Sequence, residues 1–142
     1  RGHQHVDFPC GKSGHHCGFL VALETTVDQA DARRMLSLLR GREHTVVTGC
    51  CLLGPGAVLL WEYAPVSTVT FASLTQEAIA AYAATEESLD KAGGYAIQGF
   101  AGAFVTKIIG SYPAIVGLPL YETAALLDGA GFPVHLRWMR GK

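Results

Sequence analysis

Three consecutive residues, Gly54-Pro55-Gly56, constrain the fold of this 142-residue chain more than any other feature. Glycine supplies backbone freedom and proline a fixed φ, so the triplet reads as a turn. Residues 44–53 before it are rich in Val and Thr, and a second β-type run follows over residues 57–71. Two such runs about a turn imply a hairpin, because β-branched side chains favour extended backbone. Its second strand alternates, with Val66, Thr68 and Thr70 on one face and Val69 and Phe71 on the other. Residues 68–71 are therefore expected as an interior strand.

Helical periodicity brackets the hairpin. Ala32, Met35, Leu36 and Leu39 fall at i, i+3, i+4 and i+7, which is one helix face. Asp28 or Asp31 suits the N-terminal dipole, and Arg40 followed by Gly41 ends the helix. Thr75 reads as the N-cap of a second helix through Ile79, Tyr82 and Ala83. Residues 85–102 show no period. Residues 103–109 are a strand candidate, residues 116–120 an apolar lead-in, and residues 119–127 a last helix with Pro119 at its first turn. Strands mixed with helices imply an α/β fold, a mixed sheet with flanking helices.

The length suits one domain and is short for two. Hydrophobic residues make up 49% and charged residues 16%, so apolar burial can offset chain entropy and wholesale disorder is excluded. The net charge of −1 leaves no basic field, so no nucleic-acid partner is expected. Each apolar run is interrupted before the roughly 18–20 residues of a membrane span, so no membrane partner is expected. The first residues show no cationic-then-apolar signal, which implies a cytoplasmic location, and the missing initiator Met implies a fragment.

Residues 1–18 stand apart. They hold four of the six histidines and two of the four cysteines, with no helical or strand period. They are expected to form a poorly ordered leader ahead of a domain over residues 19–142. His3, His5, Cys10, His15, His16 and Cys17 match no paired zinc-ligand spacing, so no metal site is expected there. Gly11-Lys12-Ser13 resembles the end of a phosphate loop but has no glycine five residues earlier. Cys50 and Cys51 continue an apolar run and are expected as reduced, small hydrophobes, since vicinal cysteines bridge only with strain.

The chemistry concentrates in residues 87–99, which hold Glu87, Asp90, Lys91, Gly93, Gly94, Tyr95, Gln98 and Gly99. A lysine gives a point charge for phosphate, glycines allow close backbone approach, and a glutamine amide can read a base edge. By residue type alone the segment is either such a site or a solvated turn with a capping Asp.

A series of blocks decides between them. Thr68-Val-Thr-Phe71, Asp90-Lys91-Ala-Gly-Gly-Tyr95-Ala-Ile-Gln98-Gly99, Gly110-Ser-Tyr112 and Val116-Gly-Leu-Pro-Leu120 follow the order and spacing of the Maf, or septum-formation-inhibitor-like, nucleotide pyrophosphatases. Upstream, Gly41-Arg42-Glu43-His44 looks like that family's Gly-Arg-x-His stretch. The resemblance covers residues 27–127 and implies a partial Maf-like, inosine-triphosphatase-like fold. It implies hydrolysis of a nucleoside triphosphate to the monophosphate and pyrophosphate, with a divalent metal, Mg²⁺ or Mn²⁺, and pairing as a homodimer. Lys91 and Asp90 would then be catalytic, Lys91 against phosphates and Asp90 orienting it or the metal. Gln98, Gly93, Gly94 and Tyr95 would bind substrate, and a Gln at position 98 resembles the dTTP/UTP branch.

Members of the family also carry a Ser-x-Ser-Pro-Arg-Arg loop, a Gly-Ala-Asp-Thr segment with the catalytic Asp, and a Gly-Lys-Pro. None is found here. In the preferred register Thr25-Thr26 stands at the Lys-Pro; in another, Leu23-Glu24-Thr25 stands at the Ala-Asp-Thr and makes Glu24 a base candidate. The expectation is a C-terminal part of such an enzyme behind an unrelated leader, impaired in catalysis.

Overall fold

The computed structural model describes residues 25–140 in full and residues 4–10 and 15–21 by their backbone. The expected hairpin forms, and it is broken halfway along both arms. The first arm divides at Thr48 into β3 (Glu43–Val47) and β4 (Gly49–Leu53). The second divides at Ala64-Pro65 into β5 (Leu59–Tyr63) and β6 (Val66–Phe71). Strands β4 and β5 pair antiparallel, as do β3 and β6, but the two pairs belong to different sheets. The break has a chemical cause. Pro65 has no N–H to give a ladder. Its carbonyl takes the Thr48 N–H at 3.2 Å, while the buried Thr48 hydroxyl donates to the Ala114 carbonyl at 2.7 Å.

One described sheet runs β3-β6-β7, with β7 at Val105–Ile109, so β6 is interior as expected. Its burial alternates: Ser67, Val69 and Phe71 face inward, and Val66 is exposed. The other sheet runs β1-β2-β4-β5. Its β1 (Gln4–Cys10) lies within residues 1–18, where the sequence shows no strand period, and its β2 (His15–Val21) crosses the end of that stretch. Strand β2 pairs antiparallel with β4 from His16↔Leu53 to Leu20↔Gly49, because ladder hydrogen bonds with a neighbouring edge outweigh weak local patterning. All the described pairings are antiparallel, so the expected mixed sheet resolves into two antiparallel ones.

Helices pack on the three-stranded sheet. Helix α1 (Gln29–Leu39) starts where Asp28 accepts from the Asp31 N–H at 2.8 Å, and buries Ala32 and Leu36. Helix α2 (Gln76–Ala83) is capped by the Thr75 hydroxyl, which accepts from the Ala78 N–H at 3.1 Å. Leu36, Val46, Val69, Phe71, Ile79 and Tyr82 join Tyr95 and Ala101 in one core. Two α-helices lie outside the sequence expectations: α3 (Tyr112–Val116), capped by Ser111, and α5 (Val134–Arg140). Between them α4 (Leu120–Gly129) follows Pro119 as expected and ends two residues later.

Candidate functional site

The loop after Ser88 is irregular because of its backbone demands. Asp90 sits at φ 56°, and Gly93 and Gly94 both at φ 73°. Glycine enters that left-handed region without penalty and Asp tolerates it, whereas a β-branched residue would not. Gly94 also needs the missing side chain. A Cβ there would lie 3.0 Å from the Thr26 Cγ2 and 3.4 Å from the Ala32 Cα.

Thr25 and Thr26 fasten the start of this loop. Thr25 bridges to Ala92, the Thr26 N–H donates to the Lys91 carbonyl at 3.3 Å, and the Asp90 N–H donates to the Thr26 carbonyl at 3.2 Å. The buried Thr26 hydroxyl donates to the Ser88 carbonyl. Further on, the Tyr82 hydroxyl accepts from the Ala96 N–H at 3.0 Å, and the Glu87 carboxylate accepts from the Phe100 N–H at 3.0 and 3.1 Å. Gly99 lies against that carboxylate so closely that a Cβ would collide with it.

So held, the loop forms one wall of a cavity of about 310 Å³. Lys91, Gly93, Tyr95 and Gln98 line it, with Met35 and Leu39 of α1, residues 44–46 of β3, and residues 114–117 of α3 and its end. The cavity therefore brings together four of the six residues singled out by sequence. Asp90 and Gly94 are not in its lining: Asp90 is exposed at the turn, and Gly94 is buried behind the wall. Glu24 lies outside the described residues.

The sequence reading used His44 only as part of a block, yet it is a wall residue. Its Nε2 lies 2.8 Å from the Tyr95 hydroxyl, and its ring meets Phe71 and Tyr95 edge-on at 5.2 and 5.6 Å. Burial pushes the His44 imidazole below its ordinary value, so it is neutral at pH 7. Desolvation pushes the Tyr95 phenol up to about 12. Thr45, Val46 and Thr48 were also unassigned, since a strand residue shows in sequence only which face it takes.

Chemically, the cavity offers one ammonium and one amide over a mostly apolar lining, which is the form of a small-molecule site with few orienting polar groups. Among the described residues the donor set does not suit a protein-held divalent cation. Among the described residues no carboxylate lines the cavity, and no three His, Cys, Asp or Glu side chains converge. A second, larger groove, about 560 Å³, lies between β5 and α4, lined by Leu52, Trp61, Tyr63, Tyr121 and Leu126 among others. Among the described residues its lining carries no cation, and so no handle for phosphate.

A Maf-like protein family model matches residues 16–130, beginning well before the residue-27 limit of the sequence resemblance. A dTTP/UTP pyrophosphatase of Mesorhizobium japonicum is 44% identical over 92% of this chain and 68% of its own length. Those of Maricaulis maris and Rhodopseudomonas palustris are 50% and 48% identical, over 84% and 77% of this chain. The chain spans 57% and 52% of those two relatives.

Proposed function

The chain belongs to the Maf-like protein family, and on that footing we propose that it binds dTTP or UTP and hydrolyses it to the monophosphate and pyrophosphate. One observation carries this reading: Lys91 and Gln98 lie on one tethered loop and line one cavity. In the proposed step a water oxygen bonds to the α-phosphorus, the bond from that phosphorus to the bridging oxygen breaks, and pyrophosphate leaves. The water proton passes to a base. Lys91 neutralises charge on the phosphates, while Gly93 lets backbone approach them closely. Gln98 supplies both a donor and an acceptor for the N3–H and O4 edge shared by thymine and uracil. Asp90 turns the chain at the mouth and orients Lys91. Tyr95 and Gly94 shape the wall.

The substrate is the nucleotide with its divalent counter-ion, Mg²⁺ or Mn²⁺. In the register that sets Leu23-Glu24-Thr25 at the family's Ala-Asp-Thr, Glu24 is that base; in the preferred register, with Thr25-Thr26 at the Lys-Pro, the family's base has no counterpart here. A second reading, nucleotide binding without turnover, is favoured by the absence of carboxylates from the described cavity lining. Pyrophosphate release from dTTP and UTP with Mg²⁺ separates the two. Turnover lost in Lys91→Ala and Glu24→Gln supports the enzyme. Nucleotide binding that Lys91→Ala weakens, with no pyrophosphate released, supports the second reading.

We also propose a homodimer in the cytoplasm. The β5–α4 groove supports pairing, since Trp61 is 57% and Tyr121 80% exposed, which is costly to leave in water. None of the described helices is long and apolar enough to cross a membrane.

A further inference from the structure

Resting on the nucleotide-binding reading, we propose that His44 is a positioning residue. Its Nε2 holds the Tyr95 hydroxyl, and that hydrogen bond sets the register of the 91–98 loop, and so the spacing of Lys91 and Gln98 across the cavity.

The loop from Lys91 to Gln98 has one isolated bridge, at Ala92, and no helix or strand hydrogen bonds of its own beyond turns. Its geometry therefore comes from its attachments. Thr25 and Thr26 hold the Lys91 end, and Tyr82 holds the Ala96 N–H. Between them Tyr95 follows two glycines at φ 73°, a backbone free to swing if nothing stops it. The Tyr95 ring stops it. Tyr95 is 8% exposed, and its ring meets Phe71 edge-on at 4.8 Å. Its hydroxyl, three residues from Gln98 and four from Lys91, reaches His44 at 2.8 Å.

His44 is a fixed point. It sits in β3 opposite Val69 of the interior strand β6. The Nδ1 of His44 is buried without a partner, so in either tautomer the bond to Tyr95 is the one that orients the imidazole among the described residues. The pair joins a rigid sheet to the loop that reads the ligand, and a buried polar pair left half-made is costly, so it resists opening.

The test uses His44→Phe, His44→Gln, Tyr95→Phe and the His44→Phe/Tyr95→Phe double variant, each in the whole chain. The glutamine amide can still bond the Tyr95 hydroxyl, whereas phenylalanine keeps the ring and loses the nitrogen. Amide hydrogen exchange of residues 91–98 in the ligand-free chain reads the tie, and titration with dTTP and with dGTP reads its effect. In His44→Phe, exchange should rise and dTTP binding should fall roughly tenfold, the worth of about one buried hydrogen bond, with the dTTP to dGTP preference narrowed. His44→Gln should stay close to the parent chain. Tyr95→Phe, which removes only the hydroxyl, should reproduce His44→Phe, and the double variant should be no worse than either. Unchanged exchange, an unchanged nucleotide preference, or additive effects in the double variant would overturn the proposal. Binding of neither nucleotide by the parent chain overturns the nucleotide reading, and exchange then judges the tie by itself.

Discussion

At the scale of single residues, the site depends on backbone conformations that only certain side chains allow. Gly94 and Gly56 share φ 73°, but a Cβ at Gly56 meets nothing within 4 Å, while one at Gly94 meets Thr26 and Ala32. Gly56→Ala should therefore cost about 1–2 kcal/mol for the left-handed conformation alone. Gly94→Ala should cost more, because the buried Thr26 methyl, 3.0 Å from the new Cβ, must also give way. Denaturant midpoints of the two variants measure the difference, and equal losses would show that Thr26 yields freely. Lys91→Ala should weaken dTTP, UTP and dGTP alike, since an ammonium reads charge and not base. Gln98→Glu should weaken UTP relative to dGTP, because a carboxylate has no donor for O4. Isothermal titration with the three nucleotides distinguishes these two patterns.

At the scale of elements, an irregular segment is held by groups on neighbouring elements rather than by its own hydrogen bonds. Glu87 is the clearest case, accepting from the Phe100 N–H with both oxygens and crowding Gly99 just past Gln98. Glu87→Ala should cost about 0.5–1.5 kcal/mol, the net worth of a hydrogen bond whose exposed donor, the Phe100 N–H, can turn to water instead. It should also lower the Tyr82 phenol, which burial pushes up to about 12 with a smaller contribution from Glu87. Tyrosinate absorbance against pH in the parent and variant reads that shift. An unmoved Tyr82 would mean that Glu87 does not sense it. Much of this scale was legible from local patterns: Thr75 caps the helix it was expected to cap, Asp28 and Asp31 both lie at the start of α1 where an acid was expected, and Pro119 precedes α4. Helix α3 was not, because five residues show no period, although Ser111 followed by Pro113 is a start signal.

At the scale of the molecule, buried titratable rings set how stability responds to pH. The folded Tyr82 and Tyr95 phenols lie near 12, above their ordinary value of about 10. The unfolded chain therefore releases these protons first, and the stability they contribute is complete below pH 10 and lost as pH rises toward 12. His44 acts on the other side. Its folded value is lowered, so between the two values the unfolded chain binds more protons and stability falls as the solution is acidified below about pH 6.5. Thermal midpoints from pH 5 to 11 should fall at both ends. Tyr95→Phe should flatten the alkaline limb, and His44→Gln the acid one. Association belongs to this scale too. Trp61→Lys in the β5–α4 groove should lower the sedimenting mass toward that of one chain, and an unchanged mass would place any pairing elsewhere.

What the sequence determined by itself is what short-range physics writes into neighbouring residues. Turn-forming Gly54-Pro55-Gly56 made the hairpin, alternating Val69 and Phe71 made an inward-facing strand, and the Asp90 to Gly99 block marked a loop that forms one wall of a cavity. The tertiary structure alone decided which distant groups meet. It divided the hairpin between two sheets at Thr48 and Pro65, laid β2 on β4, and set His44 against Tyr95, 51 positions further along the chain. Such contacts depend on packing geometry and on where buried polar groups find partners, and no local residue pattern encodes either.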